Sequence, residues 1–205
     1  MYEGSGNMKT IVLASNNKHK IKEFKYILKD YNILSLEDIG FNDEIEETGS
    51  TFEENALIKA KAVHDYLINN NKNYIVIADD SGLYINSLNG EPGIYSARYS
   101  GVHGDSKANR DKVLKKLDGK EGNDREAYFM CALILYYPDD TYKYFIGKTY
   151  GEITTEEIGD TDFGYDCIFY SHDLNKTFGE ATEKEKNSVS HRKRAIEEMV
   201  KYLEK

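Results

Sequence analysis

The chain has 205 residues, with 40% hydrophobic and 31% charged residues, two prolines and two cysteines. That suits one sizeable globular domain and excludes Pro-rich stalks and disulfide-dense scaffolds. Lys plus Arg number 27 against 36 Asp plus Glu, a formal net charge of -9, which opposes binding to long nucleic acid because that rests on neutralising phosphates with Lys and Arg.

A small anion held in a locally basic pocket is still compatible with this balance. Cys131 and Cys167 match no zinc spacing and read as buried or neutral thiols of a reducing compartment. No stretch approaches the roughly 18 apolar residues of a membrane span. Met1 to Asn7 lacks the basic and apolar regions of a signal peptide. Residues 1–7 read as an extension or remnant ahead of a second methionine, Met8, and residues 8–205 as one domain. These features point to a cytoplasmic protein with no membrane partner.

In chain order, Thr10 to Ala14 is a β-branched run that predicts a strand. Ser15, Asn16 and Asn17 follow as turn and cap residues, and Ile21, Phe24 and Leu28 share one face of a helix. Thr51 and Glu54 have capping-box spacing, and the helix behind them carries Phe52, Ala56, Ala60, Val63 and Leu67 as a core-facing stripe. Asn69, Asn70 and Asn71 read as a surface loop at its end. Tyr74 to Ala78 predicts a buried strand, and residues 105–117 a helix. Glu126 to Tyr137 and Thr141 to Gly151 predict long strands joined at Pro138, Asp139 and Asp140. Cys167 to Tyr170 predicts a short strand, and Ser190 to Leu203 the last helix. A βα start with a central hairpin gives an α/β fold, a mixed sheet flanked by helices.

Four polar clusters lie where the backbone is expected to change direction. Ser15 to Lys20 opens the first helix, and a helix N-terminus with a nearby lysine suits a phosphate. An ordinary N-cap with solvated lysines has the same appearance. Glu46-Glu47-Thr48-Gly49 precedes the capping box. Lys59 follows two turns later at the edge of the apolar stripe, where it either aims its ammonium into a cleft or snorkels to water. Asp79-Asp80-Ser81-Gly82 leaves the C-terminal end of an apolar strand, where α/β proteins bind ligands. Hard carboxylate oxygens there suit Mg²⁺, and a solvated Asp-Ser-Gly turn is the plain alternative. The fourth cluster joins Phe163-Gly164-Tyr165-Asp166 to Lys186 and His191-Arg192, an aromatic beside donors and an acid, as base recognition requires.

Together with Pro92 to Tyr99, these clusters in this order resemble the non-canonical purine nucleoside-triphosphate pyrophosphatases, also called inosine/xanthosine triphosphate pyrophosphatases, from Met8 to Leu203. That family usually has Thr-Gly-Asn where this chain has Ser15-Asn16-Asn17, and proline where it has Cys167.

The resemblance implies a long twisted mixed sheet with two lobes around a nucleotide cleft, so that residues 8–205 form a single nucleotide pyrophosphatase domain. It implies a homodimer that uses Mg²⁺ and hydrolyses ITP, dITP and XTP to the monophosphate and pyrophosphate, cleansing the nucleotide pool without touching the polymer. By the same resemblance Ser15, Asn16, Asn17, Lys20 and Lys59 bind phosphates. Glu47 and Asp80 hold Mg²⁺, and Asp80 is the general base. Asp79 is a supporting acid and Ser81 a substrate contact. Phe163, Gly164, Tyr165, Asp166, Lys186, His191 and Arg192 line the base and sugar end, with Phe163 stacking on the base. Pro92 to Tyr99 shapes the cleft and the dimer contact. The competing readings are a nucleotide sensor without turnover and a pyrophosphatase for modified pyrimidine triphosphates.

Overall fold

The structure, a computed structural model, describes residues 8–205. Residues 1–7, read above as an extension, lie outside the described residues. Seven strands form one mixed sheet in the order β2-β1-β3-β4-β5-β6-β7. They are β1 (Lys9–Leu13), β2 (Tyr31–Leu34), β3 (Ile75–Ile85), β4 (Glu126–Tyr136), β5 (Tyr142–Ile153), β6 (Phe169–Ser171) and β7 (Lys176–Thr177). β1 runs parallel to β2 and β3, pairing Ile11 with Ile33 and with Ile75. β5–β6 and β6–β7 are antiparallel. The helices are α1 (Lys18–Ile27), α2 (Leu36–Ile39), α3 (Phe52–Asn69), α4 (Ser106–Lys116), α5 (Glu183–Val189) and α6 (His191–Leu203).

The chain divides into two compact units. The first holds residues 8–49, 53–79 and 133–144, and its core joins Val12, Val76, Ala78 and Ile134 to the α3 stripe of Ala56, Ala60, Val63 and Leu67. The second holds residues 50–52, 80–132 and 145–205. Its main core gathers Leu83, Ile85, Val113, Leu117, Phe129, Phe169 and Phe178, and a smaller cluster sets Phe52 against Met130 and Ala132. Within β4 every residue from Phe129 to Tyr136 is buried, as in a strand covered on both faces, whereas the second half of β5 alternates buried and exposed. In the second unit α6 packs so close to β5 that a Cβ at Gly147 would lie 1.9 Å from the His191 carbonyl oxygen.

Four sequence expectations are corrected. The strand expected at Tyr74 to Ala78 continues to Ile85, so Asp79, Asp80, Ser81 and Gly82 are strand residues and not a turn. Gly82 is there because a Cβ would meet the Ser96 Oγ at 2.4 Å and the Gly93 carbonyl at 2.5 Å, and its φ is not left-handed. The strand expected from Cys167 begins at Phe169, since residues 166–168 form a 3-10 turn. Lys186 belongs to a separate helix, α5, capped by Thr182, which precedes the expected last helix and was not anticipated. β2 and α2, four residues each, were not anticipated.

Candidate functional site

In the first unit the expected phosphate-binding residues sit on the turn from β1 into α1. Asn17 is the N-cap of α1, and its Oδ1 accepts from the backbone N–H groups of His19 and Lys20 at 3.0 and 3.1 Å. Ser15 Oγ accepts from the Asn17 N–H at 3.0 Å. Asn16 Oδ1 accepts from the Glu37 N–H at 2.9 Å, tying the turn to α2. Asn16 is not among the residues with positive φ, so the glycine usual at this position is not required by this backbone. The side-chain oxygens of all three thus build the turn and orient it.

Both lysines of this set are held by acids. Lys20, at the end of the first turn of α1, donates to both Asp79 carboxylate oxygens at 2.9 Å, and Asp79 is only 4% exposed. A carboxylate so deep in β3 is tolerated because a charged donor meets it. Lys59, on the rim of the α3 stripe, meets Glu47 Oε1 at 2.6 Å. Glu47 is brought to α3 by a loop whose Gly49 N–H donates to the buried Asn55 Oδ1 at 2.8 Å. The structure therefore groups Lys20 with Asp79 and Lys59 with Glu47.

In the second unit Asp80 and Ser81 are half-buried, one residue beyond Asp79 on β3. Successive strand residues face opposite ways. The Ser81 N–H donates to Asp80 Oδ1 at 3.0 Å. Just beyond them Ser96 braces the strand: its Oγ accepts from the Leu83 N–H at 2.9 Å and donates to the Gly93 carbonyl at 2.6 Å.

The aromatic loop presents Phe163 with 72% of its surface exposed, and Lys186 Nζ lies 4.9 Å from the centre of that ring. Lys186 also donates to Asp166 Oδ2. Burial pushes the Asp166 carboxyl up from its ordinary value, and the Lys186 ammonium opposes that shift. Gly164 is a half-buried loop residue. Tyr165 is 5% exposed, packs in the core, and its hydroxyl donates to the Ser96 carbonyl at 2.6 Å. His191 and Arg192, both half-buried, occupy the first turn of α6 behind the Ser190 N-cap. The His191 ring stacks on Phe129 with centroids 5.3 Å apart.

Among the described residues, one group of three metal-type ligands converges, Glu126, Glu152 and His172. It contains neither Glu47 nor Asp80. Each of those two offers hard carboxylate oxygens, the ligand type that suits Mg²⁺. Cys131 and Cys167 are both buried free thiols, as the sequence suggested. Sequence reasoning missed Arg110, whose partners Glu157, Asp162 and Gly164 lie far off in the chain and form no local motif, and took Ser96 only as part of the Pro92 to Tyr99 segment.

A family model of the Ham1 family matches residues 11–202. The chain belongs to the Ham1 family. A dITP/XTP pyrophosphatase of Bacillus subtilis (strain 168) is 48% identical over 199 residues, covering 96% of this chain and 98% of that protein. One from Clostridium perfringens (strain 13 / Type A) is 46% identical over 195 residues, covering 94% and 96%. The Staphylococcus aureus Ham1 protein superposes with a TM-score of 0.88 at 45% identity, covering 96% of this chain and 98% of that one. A HAM1 protein from Coxiella burnetii gives 0.87 at 38%. The α/β architecture of this Ham1 family member, with its mixed sheet flanked by helices, is thus the one expected from its sequence. No helix among the described residues is long and apolar enough to cross a membrane.

Proposed function

We propose that this Ham1 family member hydrolyses the non-canonical purine triphosphates ITP, dITP and XTP to the monophosphate and pyrophosphate. The observation that carries this reading is the match, over nearly the whole chain, to relatives named dITP/XTP pyrophosphatase. The site residues agree with it chemically. Lys20 and Lys59 offset triphosphate charge, and the donors around Ser15, Asn16 and Asn17 receive phosphate oxygens at the positive end of α1. Asp80 takes a proton from the water that attacks the α-phosphorus, a role worth about 10²–10⁴ in rate. Asp79 positions Lys20, and Ser81 contacts the substrate. Mg²⁺, when held by Glu47 and Asp80, supplies charge neutralisation on the phosphates.

Phe163 stacks on the base. Asp166, Lys186, His191 and Arg192 serve the base and sugar end, with Gly164 supplying the left-handed φ of 54° that turns the loop. A 6-carbonyl purine satisfies donors such as His191 or Arg192 that adenine leaves unpaired, and such a mismatch discriminates strongly. In this reading residues 8–205 act as one functional domain, cytoplasmic and homodimeric, with Pro92 to Tyr99 at the dimer contact.

The test is pyrophosphate release with Mg²⁺ across a panel of nucleoside triphosphates. Release from ITP, dITP and XTP well above that from ATP and GTP is expected. Thermal stabilisation by ITP without turnover would make the protein a sensor, and preference for a modified pyrimidine triphosphate would move it to another substrate class.

A further inference from the structure

Residues 154–165, between β5 and the 3-10 turn at Asp166, contain no helix or strand, yet they carry the most exposed phenylalanine of the proposed base site. Arg110 explains how that segment is held. It lies in the middle of α4 with only 2% of its side chain exposed, and among the described residues it is the largest fully buried side chain. Its Nε donates to Glu157 Oε1 at 2.7 Å. Nη1 donates to the Asp162 carbonyl at 3.2 Å and to the Gly164 carbonyl at 2.9 Å, and Nη2 to Asp162 Oδ1. One turn earlier on the same helix, Ser106 Oγ accepts from the Gly164 N–H at 3.2 Å. The peptides on both sides of Phe163 are therefore gripped from α4, and the ring between them is turned outward.

We infer that Arg110 is the positioning residue of the base-stacking loop, fixing Phe163 before the nucleotide arrives. A buried guanidinium is costly unless its donors are met, and loop carbonyls are costly unless they are paired. Arg110 and the loop satisfy one another. Only a planar fork reaches Glu157, Asp162 and Gly164 together, so lysine is not an equivalent. The consequence for substrate binding rests on the stacking role of Phe163 proposed above.

The chain has no tryptophan, so Phe163→Trp makes a single fluorescent reporter at the tip of the loop. In that background Arg110→Leu is expected to lower the tryptophan anisotropy and increase acrylamide quenching, with circular dichroism unchanged. With Phe163 restored, Arg110→Leu should raise KM for ITP by about 3- to 10-fold, because the platform must then be ordered on binding, and leave kcat within about twofold. Arg110→Lys should loosen the reporter as Leu does. Unchanged anisotropy in a folded Arg110→Leu protein overturns the inference, whatever the kinetics. Lowered anisotropy with unchanged KM supports the clamp and removes the stacking role of Phe163 instead. Should Arg110→Leu not fold, Glu157→Gln keeps the arginine and loosens its Nε anchor. A smaller fall in anisotropy is then expected, and none at all overturns the inference.

Discussion

Gly82→Ala tests the correction that matters most for placing Asp80. Read from sequence, Gly82 ends a solvated turn, where alanine would be tolerated. In the structure it is a strand residue whose added Cβ would sit 2.4 Å from Ser96 Oγ and 2.5 Å from the Gly93 carbonyl, with Phe52 Cε1 at 3.0 Å. The Ser96 hydroxyl cannot swing aside freely, because it is engaged with the Leu83 N–H and the Gly93 carbonyl. Overpacking of this kind costs about 1–3 kcal/mol, and each hydrogen bond lost adds about 0.5–1.5 kcal/mol. A total of roughly 3 kcal/mol lowers Tm by about 6–12 °C for a chain of this size. Thermal melts of parent and variant in one buffer measure this. A Tm within about 2 °C of the parent, the range of an unconstrained surface change, would refute the close approach and with it the strand reading of Asp80 and Ser81.

Asp80→Asn is expected to lower kcat for ITP by about 10²–10⁴ with little change in melting temperature, and near-normal turnover would remove Asp80 from the chemistry. Phe163→Ala should raise KM far more than it lowers kcat, since base stacking on an aromatic is worth about 1–3 kcal/mol; an unchanged KM would leave the exposed ring without a role. Burial raises the Asp166 carboxyl from its ordinary value. Its folded pKa exceeds its unfolded one, so its contribution to stability is full below the unfolded value and declines as pH rises through the raised folded value. Asp166→Asn should flatten that decline in a series of melts against pH, and an unaltered slope would contradict it.

Much of the architecture was legible because it is written in periodicity. The α3 stripe from Ala56 to Leu67 is buried throughout, and β4 and β5 lie within two residues of their expected bounds. What failed were signals that depend on distant neighbours. Gly82 looked like turn punctuation because the atoms that require it, on Gly93 and Ser96, are far off in sequence. β2 and α2 have only four residues each, too few to show a period. α5 has no buried residue and so shows no apolar stripe in the pattern. At the site, Lys20, Lys59 and Lys186 were visible as cations, but their partners Asp79, Glu47 and Asp166 emerge only when the chain is folded. Arg110 was invisible for the same reason: its acceptors lie 47 to 54 positions away.

In the proposed function, the lysine–carboxylate pairs bear on which anions each lysine retains. An anion approaching Lys20, Lys59 or Lys186 does not find a bare charge. It must compete with a carboxylate already in place, within 2.6 to 2.9 Å at Lys20 and Lys59. In the proposed function a polyanion that engages Lys20 and Lys59 together gains multiplicatively over an anion that meets only one of them. Resident acids of this kind set a valence threshold.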